Sequence, residues 1–528
     1  MKTGLVALAL AIGTGAPALA QDRAGAAVVE TSIDELQALL ASGKSTSARL
    51  TQAYLDRIAA IDRKGPTLRS VIAVSPNALE QARASDARRR AGKSLGPLDG
   101  VPVLIKDNID TIELPTTAGS LALAANWTKR DAPVVAMLRS RGAVILGKTN
   151  LSEWANIRSN NSMSGWSAVG GLVRNPYALD RTACGSSSGS GAAVAASLAA
   201  VAVGTETDGS VVCPASMNGL VGLKPTLGLV SRTYVVPISH SQDTPGPMAR
   251  SVKDAAILFT AMVGKDWQDP ATLDADNYRD DYAAGLSADA LKGMRVGYWK
   301  PEMDSHLAAR FDKALDELRA AGAILVEVKM PELKGLGEAE GEVLYTELRD
   351  DLAAYLAGTP AAGQVRTLAD VIAFNEANKA AEMPFFGQET FLKAEKTRGT
   401  QDAEYLGAVA KSRRLAGTEG IDVMLAAADA RILVTPTYGT PWLSDPAHGD
   451  QFSGPSASEL PAVSGYPHLT VPMGLVDGLP AGLSFIGTEY SDALLLKAGY
   501  AYEKATNARV APRYLPSAPA DLGPRKPK

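Results

Sequence analysis

The chain has 528 residues, of which 46% are hydrophobic and 21% are charged, and its formal net charge is -4. This composition is typical of a globular protein and excludes collagen, coiled coils and largely disordered chains. The balance of acidic and basic residues argues against nucleic acid as a partner. The length allows up to three domains, or one large α/β domain with insertions.

The first twenty residues have the pattern of a secretory signal peptide. Lys2 supplies the positive charge, residues 5–12 are apolar, and the Ala-Leu-Ala tripeptide at 18–20 is a cleavage pattern. We therefore predict a mature protein that begins at Gln21 and is periplasmic or secreted, the alternative being an ordinary first helix. No later segment approaches 18 consecutive apolar residues, so we expect no membrane association.

After the signal peptide, helical and strand patterns alternate. Ser32 and Glu35 form a capping box at the start of the first helix. Further helices are predicted at 48–61, 77–91 and 192–200, and another passes through Met137 and Leu138. Strands are predicted at 71–74, 100–106, 143–146, 201–203, 295–298, 324–328, 432–435, 469–472 and 483–486. This alternation predicts an α/β fold in which helices cover both faces of a sheet.

We predict a single domain over residues 21–528. The segment from about 267 to 422 is richer in helix and charge, which we interpret as a helical insertion or cap. The segment 509–528 contains five prolines and is predicted to be a loosely ordered tail.

One motif resembles a nucleotide-binding loop but does not have its chemistry. Residues 142–149 match G-x-x-x-x-G-K-[ST] letter for letter. The four positions between the glycines hold Ala-Val-Ile-Leu, which predicts a strand, whereas a phosphate-binding loop needs a flexible backbone there. We therefore do not predict ATP or GTP binding.

A second motif matches the nucleophile elbow of Ser-His-Asp hydrolases. Residues 185–189 read G-S-S-S-G, with Ser187 at the nucleophile position. An elbow follows a buried strand, but residues 175–181 read as a loop. The chain has four histidines, so a Ser-His-Asp site remains an alternative. They are His240, His306, His448 and His468.

The most informative region runs from Cys184 to Thr226. It contains two Gly/Ser clusters, separated by a helix of small residues and a short strand. Glycines allow a tight backbone turn whose N–H groups can bind an oxyanion. Each cluster also supplies a serine hydroxyl, from Ser186 and Ser210. This pattern indicates a catalytic site rather than a flexible linker.

These clusters and several other segments resemble the amidase signature family over nearly the whole mature chain. The matching segments include GVPVLIKDNID at 100–110, GAVILGKTNLSEWA at 142–155 and GLVGLKPTLGLVSR at 219–232. ACGSSSGSGAAVAA at 183–196 and GTETDGS at 204–210 are most similar to the bacterial peptide-amidase members. The resemblance implies a mixed β-sheet core covered on both faces by α-helices.

The resemblance also implies a Ser–Ser–Lys catalytic triad. Lys106 corresponds to the general base, Ser186 to the bridging serine, which follows a cis peptide bond in the family, and Ser210 to the nucleophile. The separation of 24 residues between the two serines fits the family. The implied oxyanion hole consists of the main-chain N–H groups of Thr207, Asp208, Gly209 and Ser210.

The residue types suit this chemistry, because a serine hydroxyl needs a neighbour that accepts its proton. Lysine is a base only when neutral, and burial at the end of an apolar strand favours the neutral form. Ser187 and Asn108 are candidate supporting residues, and Asp107 is a further candidate for orienting the lysine. No metal or other cofactor is implied, and no His/Cys cluster has zinc spacing.

We therefore expect an amidase that hydrolyses a terminal carboxamide to an acid and ammonia, with the C-terminal amide of a peptide as the best substrate. A general amidase for small amides is the alternative. A subunit of a tRNA-dependent amidotransferase is a third reading, which the signal peptide disfavours. The partner is thus a small-molecule or peptide amide. Oligomeric state and peptide length stay open, with a monomer as the simplest expectation.

The two cysteines flank the implied catalytic serines. Cys184 lies two residues before Ser186, and Cys213 lies three residues after Ser210. If the serines are close together, the cysteines are also close, and an oxidising compartment permits a disulfide. Proximity alone does not satisfy disulfide geometry, so a pair of buried thiols remains the alternative.

Overall fold

The computed structural model describes residues 28–519. The predicted signal peptide, its cleavage site and the last nine residues lie outside the described residues. Within 28–519, no helix combines the length and apolar character needed to cross a membrane.

The described residues form strands and helices that alternate along the chain. The strands are β1 (Val71–Val74), β2 (Pro102–Lys106), β3 (Val144–Thr149), β4 (Trp166–Ser167), β5 (Gly171–Leu172), β6 (Val201–Glu206), β7 (Val221–Lys224), β8 (Thr244–Ala249), β9 (Arg295–Tyr298), β10 (Ile324–Glu327), β11 (Ile432–Pro436), β12 (His468–Val476) and β13 (Leu479–Gly487). The helices are α1 (Ile33–Ala41), α2 (Ser47–Arg57), α3 (Ala78–Arg90), α4 (Pro133–Ser140), α5 (Ser188–Ala195), α6 (Val212–Met217), α7 (Val252–Met262), α8 (Ser305–Ala320), α9 (Leu336–Ala357), α10 (Leu368–Ala377), α11 (Lys379–Glu382), α12 (Glu389–Ala394), α13 (Ala403–Ala416), α14 (Asp422–Ala428), α15 (Glu459–Ser464) and α16 (Asp492–Thr506).

Eleven of these strands form one mixed sheet flanked by helices, which confirms the predicted fold class. Their order is β1-β3-β2-β6-β8-β7-β12-β13-β11-β9-β10. β3, β2 and β6 are parallel neighbours, as are β11, β9 and β10. The strands between these two blocks pair antiparallel. Buried side chains of β2, β3 and β6 share one hydrophobic core with α2, α4 and α7.

Every predicted strand is present, and the predicted capping box of α1 is formed. Two differences concern the chain around the site. The helix predicted at 192–200 instead begins at Ser188 and ends at Ala195. β8 has the sequence TPGPMA and was not predicted, because proline cannot donate to a strand ladder. It is nevertheless inside the sheet, between β6 and β7.

The segment 267–422, interpreted from the sequence as a helical insertion or cap, contains the two strands predicted within it as well as helices. Its first part contributes β9 and β10 to one end of the main sheet. Helices α9, α10 and α12 follow, and they form a separate apolar cluster that packs on Trp154. The part of this segment that acts as a helical cap therefore begins only at Leu336.

The described part of the proline-containing tail is attached to the domain. Leu179 N–H donates to the carbonyl of Leu515, and Tyr514 N–H donates to that of Pro176. Arg509 forms an ion pair with Glu30. These contacts with distant parts of the chain, which the local composition does not encode, place residues 509–519 on the body of the protein.

Candidate active site

Two parallel strands bring the predicted lysine to the first Gly/Ser cluster. Lys106 is the last residue of β2, and Thr205 lies near the end of β6. β2 and β6 are parallel, with Ile105 paired to Val203, so their carboxyl ends lie at the same edge of the sheet. Every residue of β2 is buried because the strand lies inside the sheet.

The Lys106 ammonium has three hydrogen-bond partners. It donates to Ser186 Oγ at 2.7 Å, to Thr205 Oγ1 at 2.9 Å and to the Thr205 carbonyl at 3.1 Å. The side chain is fully buried. The structure therefore joins Lys106 and Ser186, which are 80 residues apart in the sequence.

Burial also changes the protonation of this lysine. Removal from water disfavours the charged form and lowers the pKa of Lys106 to about 7, although the carboxylates of Asp243 and Glu206 oppose the shift. A substantial fraction of Lys106 is therefore neutral near pH 7. A neutral amine has the lone pair that a general base requires.

Ser186 lies in the turn that leads into α5. The Gly185–Ser186 peptide bond is cis, as the resemblance implies. The Ser186 carbonyl accepts a hydrogen bond from Ser152 N–H at 3.1 Å. Ser186 is completely buried, so its hydroxyl meets protein groups rather than bulk water.

Ser210 lies in the turn between β6 and α6. Its carbonyl accepts a hydrogen bond from Ser187 N–H at 3.1 Å, which joins the two Gly/Ser clusters directly. The buried carboxylate of Glu206 accepts from the N–H groups of Val211 and Val212, at 2.7 and 2.9 Å, and so closes the turn. Ser210 itself borders a cavity.

The turn before Ser210 requires glycine at position 209. Gly209 has a φ of +77°, and a Cβ atom there would lie 2.2 Å from Tyr438 Oη. Within the described residues, no main-chain N–H of Thr207–Ser210 donates a hydrogen bond. Thr207, Asp208 and Ser210 border the same cavity. The main-chain N–H groups of this turn thus lie beside the cavity without an acceptor among the described residues.

A disulfide joins the two clusters a second time. Cys184 and Cys213 are bonded, with Cα atoms 6.0 Å apart. This settles the alternative that the sequence left open. Both cysteines pack with Tyr438 and Trp442 in one buried cluster. The bond therefore links the segment of Ser186 to that of Ser210.

We expect removal of this disulfide to lower both stability and activity. The cysteines are 29 residues apart, and a loop of that length gives a chain-entropy contribution of about 3.5 kcal/mol to the free energy of unfolding. The variant Cys184→Ala/Cys213→Ala should lose roughly that amount in denaturant titration. A reductant should lower the Tm of the native protein but leave that of the variant unchanged. Two free thiols in the unfolded, unreduced native protein would contradict this pairing.

The predicted supporting residues act through a residue that the sequence analysis missed. Asn108 Nδ2 donates to Thr205 Oγ1 at 2.9 Å. Ser187 Oγ accepts from Thr205 N–H at 3.2 Å and donates to its carbonyl at 3.1 Å. Thr205 therefore holds Lys106, while Asn108 and Ser187 hold Thr205. Thr205 lies in the GTETDGS segment at 204–210, but nothing in the sequence pattern distinguished its hydroxyl as functional.

Asp107 does not orient Lys106, although it is the next residue. Its carboxylate pairs with the buried Lys148 at 2.8 Å and accepts a hydrogen bond from Thr117. Asp107 lies in the turn that follows β2, and its contacts are with Lys148 and Thr117 rather than with Lys106. Lys148 lies in β3, so residues 142–149 contain a strand as predicted, and their lysine has a structural partner.

Asp243 and Gln242 were also missed. Asp243 Oδ1 accepts from Thr207 Oγ1 at 2.5 Å, and Gln242 Nε2 donates to the Thr207 carbonyl at 3.3 Å. Burial raises the pKa of Asp243 to about 6. These residues precede the unpredicted strand β8, so that only its placement beside β6 brings them to Thr207.

A polar network attaches the loop before β8 to the helical cap. The buried carboxylate of Glu347 in α9 accepts from the hydroxyls of Ser239, Ser241 and Tyr405. His240 and Asp351 lie beside it, and ligand atoms of Glu347 and these two residues are within 4.8 Å of one another. The protein's own hydroxyls already occupy the Glu347 carboxylate. We therefore interpret the group as a structural network.

The cavity beside Ser210 has a volume of about 350 Å³. One wall is aromatic, formed by Tyr438, Trp442 and Phe452, with Phe452 in edge-to-face contact with both of the others. Thr207 and Asp208 of the turn before Ser210 also border it. A site with an apolar wall and a few polar groups is typical of small-ligand binding.

The geometry does not favour the elbow centred on Ser187. The hydroxyl of Ser187 is engaged with Thr205, and among the described residues no histidine is its hydrogen-bond partner. The buried His468 contacts Ser484 instead, and burial lowers its pKa to about 3.

Comparison with known proteins identifies the family. The profile described as Amidase matches residues 49–496. The chain belongs to the amidase family. The crystal structure of native peptide amidase from Stenotrophomonas maltophilia is 50% identical, with a TM-score of 0.88 over 92% of this chain and 99% of that chain. The sequence analysis predicted a specific resemblance to peptide amidases, and this neighbour confirms it. Together with the family assignment, it makes the chain an amide-hydrolysing enzyme.

Two other proteins are similar over nearly their whole length. A probable amidase of Arabidopsis thaliana is 39% identical over 500 residues, which cover 92% of each chain. A glutamyl-tRNA(Gln) amidotransferase subunit of Thermobifida fusca is 37% identical over 503 residues, 90% of this chain and 96% of that protein.

Proposed function

We propose that this amidase hydrolyses the C-terminal amide of peptides to a free acid and ammonia, using Lys106, Ser186 and Ser210. The observation that carries the proposal is the contact of a buried lysine of lowered pKa with Ser186, in a cluster joined to the Ser210 segment. The similarity to a peptide amidase at 50% identity favours a peptide amide as substrate.

In the proposed reaction, Ser210 Oγ attacks the carbonyl carbon of the amide. Its proton passes to Ser186, whose own hydroxyl proton passes to the lone pair of neutral Lys106. The two remaining N–H bonds of Lys106 are directed at the two oxygens of Thr205, which leaves the lone pair facing Ser186. This arrangement activates the nucleophile without a separate rearrangement of the lysine.

The carbonyl oxygen becomes negatively charged as the C–O bond to Ser210 forms. The free N–H groups of the turn from Thr207 to Ser210 stabilise that charge. Collapse breaks the C–N bond, and the relay returns the proton to the nitrogen, so that ammonia leaves. Water then attacks the acyl-enzyme, with its proton passing along the same route, and the acid is released with Ser210 restored.

One assay distinguishes the proposed substrate class from its alternatives. Ammonia release should be measured side by side from a peptide amide, a small aliphatic amide and glutamine. We expect the highest kcat/KM for the peptide amide. A higher value for the small amide would indicate a general amidase. Glutamine as the preferred substrate would indicate an activity like that of the amidotransferase relative, which is 37% identical.

We also propose that the protein is exported, because a disulfide persists in oxidising compartments and the chain begins with a signal-peptide pattern. Expressed in a Gram-negative host, active protein should be found in the periplasmic fraction. Its N-terminus, determined by mass spectrometry, should be at or near Gln21. Active cytosolic protein that retains Met1 would contradict export.

A further inference from the structure

A second cavity adjoins the active-site cavity. It has a volume of about 750 Å³ and lies between the first turns of α9 and the segment that leads into α15. Ser456 borders both cavities. Leu344 of α9 borders the active-site cavity, and its neighbour Tyr345 borders the second one. The two cavities therefore meet at Ser456, and we call the second one the groove.

We propose that the groove binds the residues that precede the terminal amide of a peptide substrate and favours a basic side chain among them. This inference rests on the proposed function and extends it to a substrate class. The active-site cavity is near the lower end of the range of ligand pockets, about 300–1,000 Å³. The groove has roughly twice its volume, and because Ser456 borders both cavities the groove is placed to receive the rest of a peptide bound at Ser210.

Two glycines of α9 keep this path open. Gly337 and Gly341 are one turn apart in the helix, and both border the groove. Neither has a positive φ, so the backbone does not require glycine there. A glycine inside a helix costs about 1 kcal/mol relative to alanine. A Cβ atom would meet only Tyr345 at 3.4 Å or Glu459 at 3.7 Å, which the site accommodates. The missing side chains leave space beside the helix backbone.

The charges around the groove favour a cation. Its lining contains two carboxylates, Glu338 and Glu459, and one ammonium group, Lys393, and the Lys411 ammonium lies beside Glu338 at the lining residue Gly335. The Lys393 ammonium lies 4.4 Å from the centre of the Tyr345 ring, which it contacts as a cation–π partner. Asp208 adds a further carboxylate from the active-site side, and burial together with Asp208 raises the pKa of Glu459. The resulting negative potential favours lysine or arginine in the substrate.

The first test compares amides of different length. In the native enzyme, kcat/KM should be at least tenfold higher for a neutral tripeptide amide than for an N-acetylated amino-acid amide with the same last residue. Gly341→Leu fills the groove and should lower that ratio at least tenfold. The matched control is Gly407→Leu in α13, where the glycine is exposed and no atom lies within 4 Å of a Cβ position. It should keep the native ratio. Gly337→Leu is the second variant if Gly341→Leu does not fold.

The second test concerns charge. Replacing the middle residue of the tripeptide amide with lysine should raise kcat/KM about threefold to tenfold in the native enzyme, and Glu459→Gln should reduce this preference. A native enzyme that shows no length dependence, or leucine variants that retain the native ratio, would overturn the groove as a peptide site. Continued ammonia release from the tripeptide amide would in that case still uphold the proposed function. Absence of ammonia from every peptide amide would overturn the proposed function itself and the groove with it.

Discussion

Replacement of Ser210 by alanine should abolish amide hydrolysis, with a loss of turnover of about 10⁴-fold or more. Without this hydroxyl no acyl-enzyme forms, and the buried lysine has no nucleophile to activate. Ser186→Ala should cost orders of magnitude but leave a trace, because nucleophile and base remain while the proton path is interrupted. The three groups act as a unit, so the triple variant should be only slightly worse than Ser210→Ala. Ammonia release under saturating peptide amide measures each loss.

A matched control distinguishes the loss of the Ser210 nucleophile from the loss of any other buried serine hydroxyl. Ser190 is a buried serine of α5 whose hydroxyl lies 2.8 Å from Thr149 Oγ1 and 3.3 Å from the Val203 carbonyl. Ser190→Ala should lower the free energy of unfolding by about 1 kcal/mol and retain most of the turnover. Substitution of the exposed His240 or His448, or of the half-buried His306, should also leave substantial turnover. A histidine variant as inactive as Ser210→Ala would refute the triad and reopen the elbow at Ser187.

Protonation of Lys106 should determine how kcat/KM decreases at acidic pH, which is the acidic limb of the pH profile. The base must be neutral, and its pKa is lowered to about 7. Below that value the protonated fraction increases, so kcat/KM should fall about tenfold per pH unit as the pH decreases. Above it the lysine is neutral, and the profile should reach a plateau. Lys106→Arg keeps the positive charge but remains protonated at any working pH. That variant and Lys106→Met should both lose about 10³-fold or more.

The control for Lys106 is the buried lysine of the adjacent strand. Lys148 is fully buried but paired with Asp107 at 2.8 Å. The double variant Lys148→Met/Asp107→Asn should be less stable, yet its pH profile should keep an acidic limb near pH 7. Circular dichroism and the Tm establish that each variant is folded at the assay temperature. Near-normal turnover of Lys106→Arg would show that another group is the base. The same conclusion would follow if the residual activity of Lys106→Met kept its acidic limb at the same pH.

The Gly/Ser clusters show how much of the candidate site can be predicted from a sequence pattern. The spacing and composition of residues 184–226 pointed to the two serines, and the resemblance supplied the lysine and the cis bond before Ser186. The structure brings Lys106 to 2.7 Å from Ser186, and Ser210 lies on the segment joined to that cluster. The turns at the two serines depend on their own glycines, whereas the contact of Lys106 with Ser186 also depends on the pairing of β2 with β6.

The tertiary structure alone shows which residues hold Lys106 and the turn before Ser210 in position. Thr205 reaches Lys106 because β6 lies beside β2. Gln242 and Asp243 reach Thr207 because β8 lies beside β6, and a strand with two prolines carries no local signal for that position. The disulfide likewise depends on a Cα separation of 6.0 Å, which two distant turns must first produce. The groove depends on α9 lying against the segment before α15.

By itself the sequence predicted the fold class and the strands of apolar β-branched residues, because periodicity acts over a few residues, and the family resemblance supplied the residues of the implied site. Only the tertiary structure decided that Asp107 pairs with Lys148 rather than orienting Lys106, that the cap begins after β10, and that residues 509–519 lie on the domain. Each of these depends on contacts between segments far apart in the chain, whose free energy is set by packing and burial rather than by local propensity.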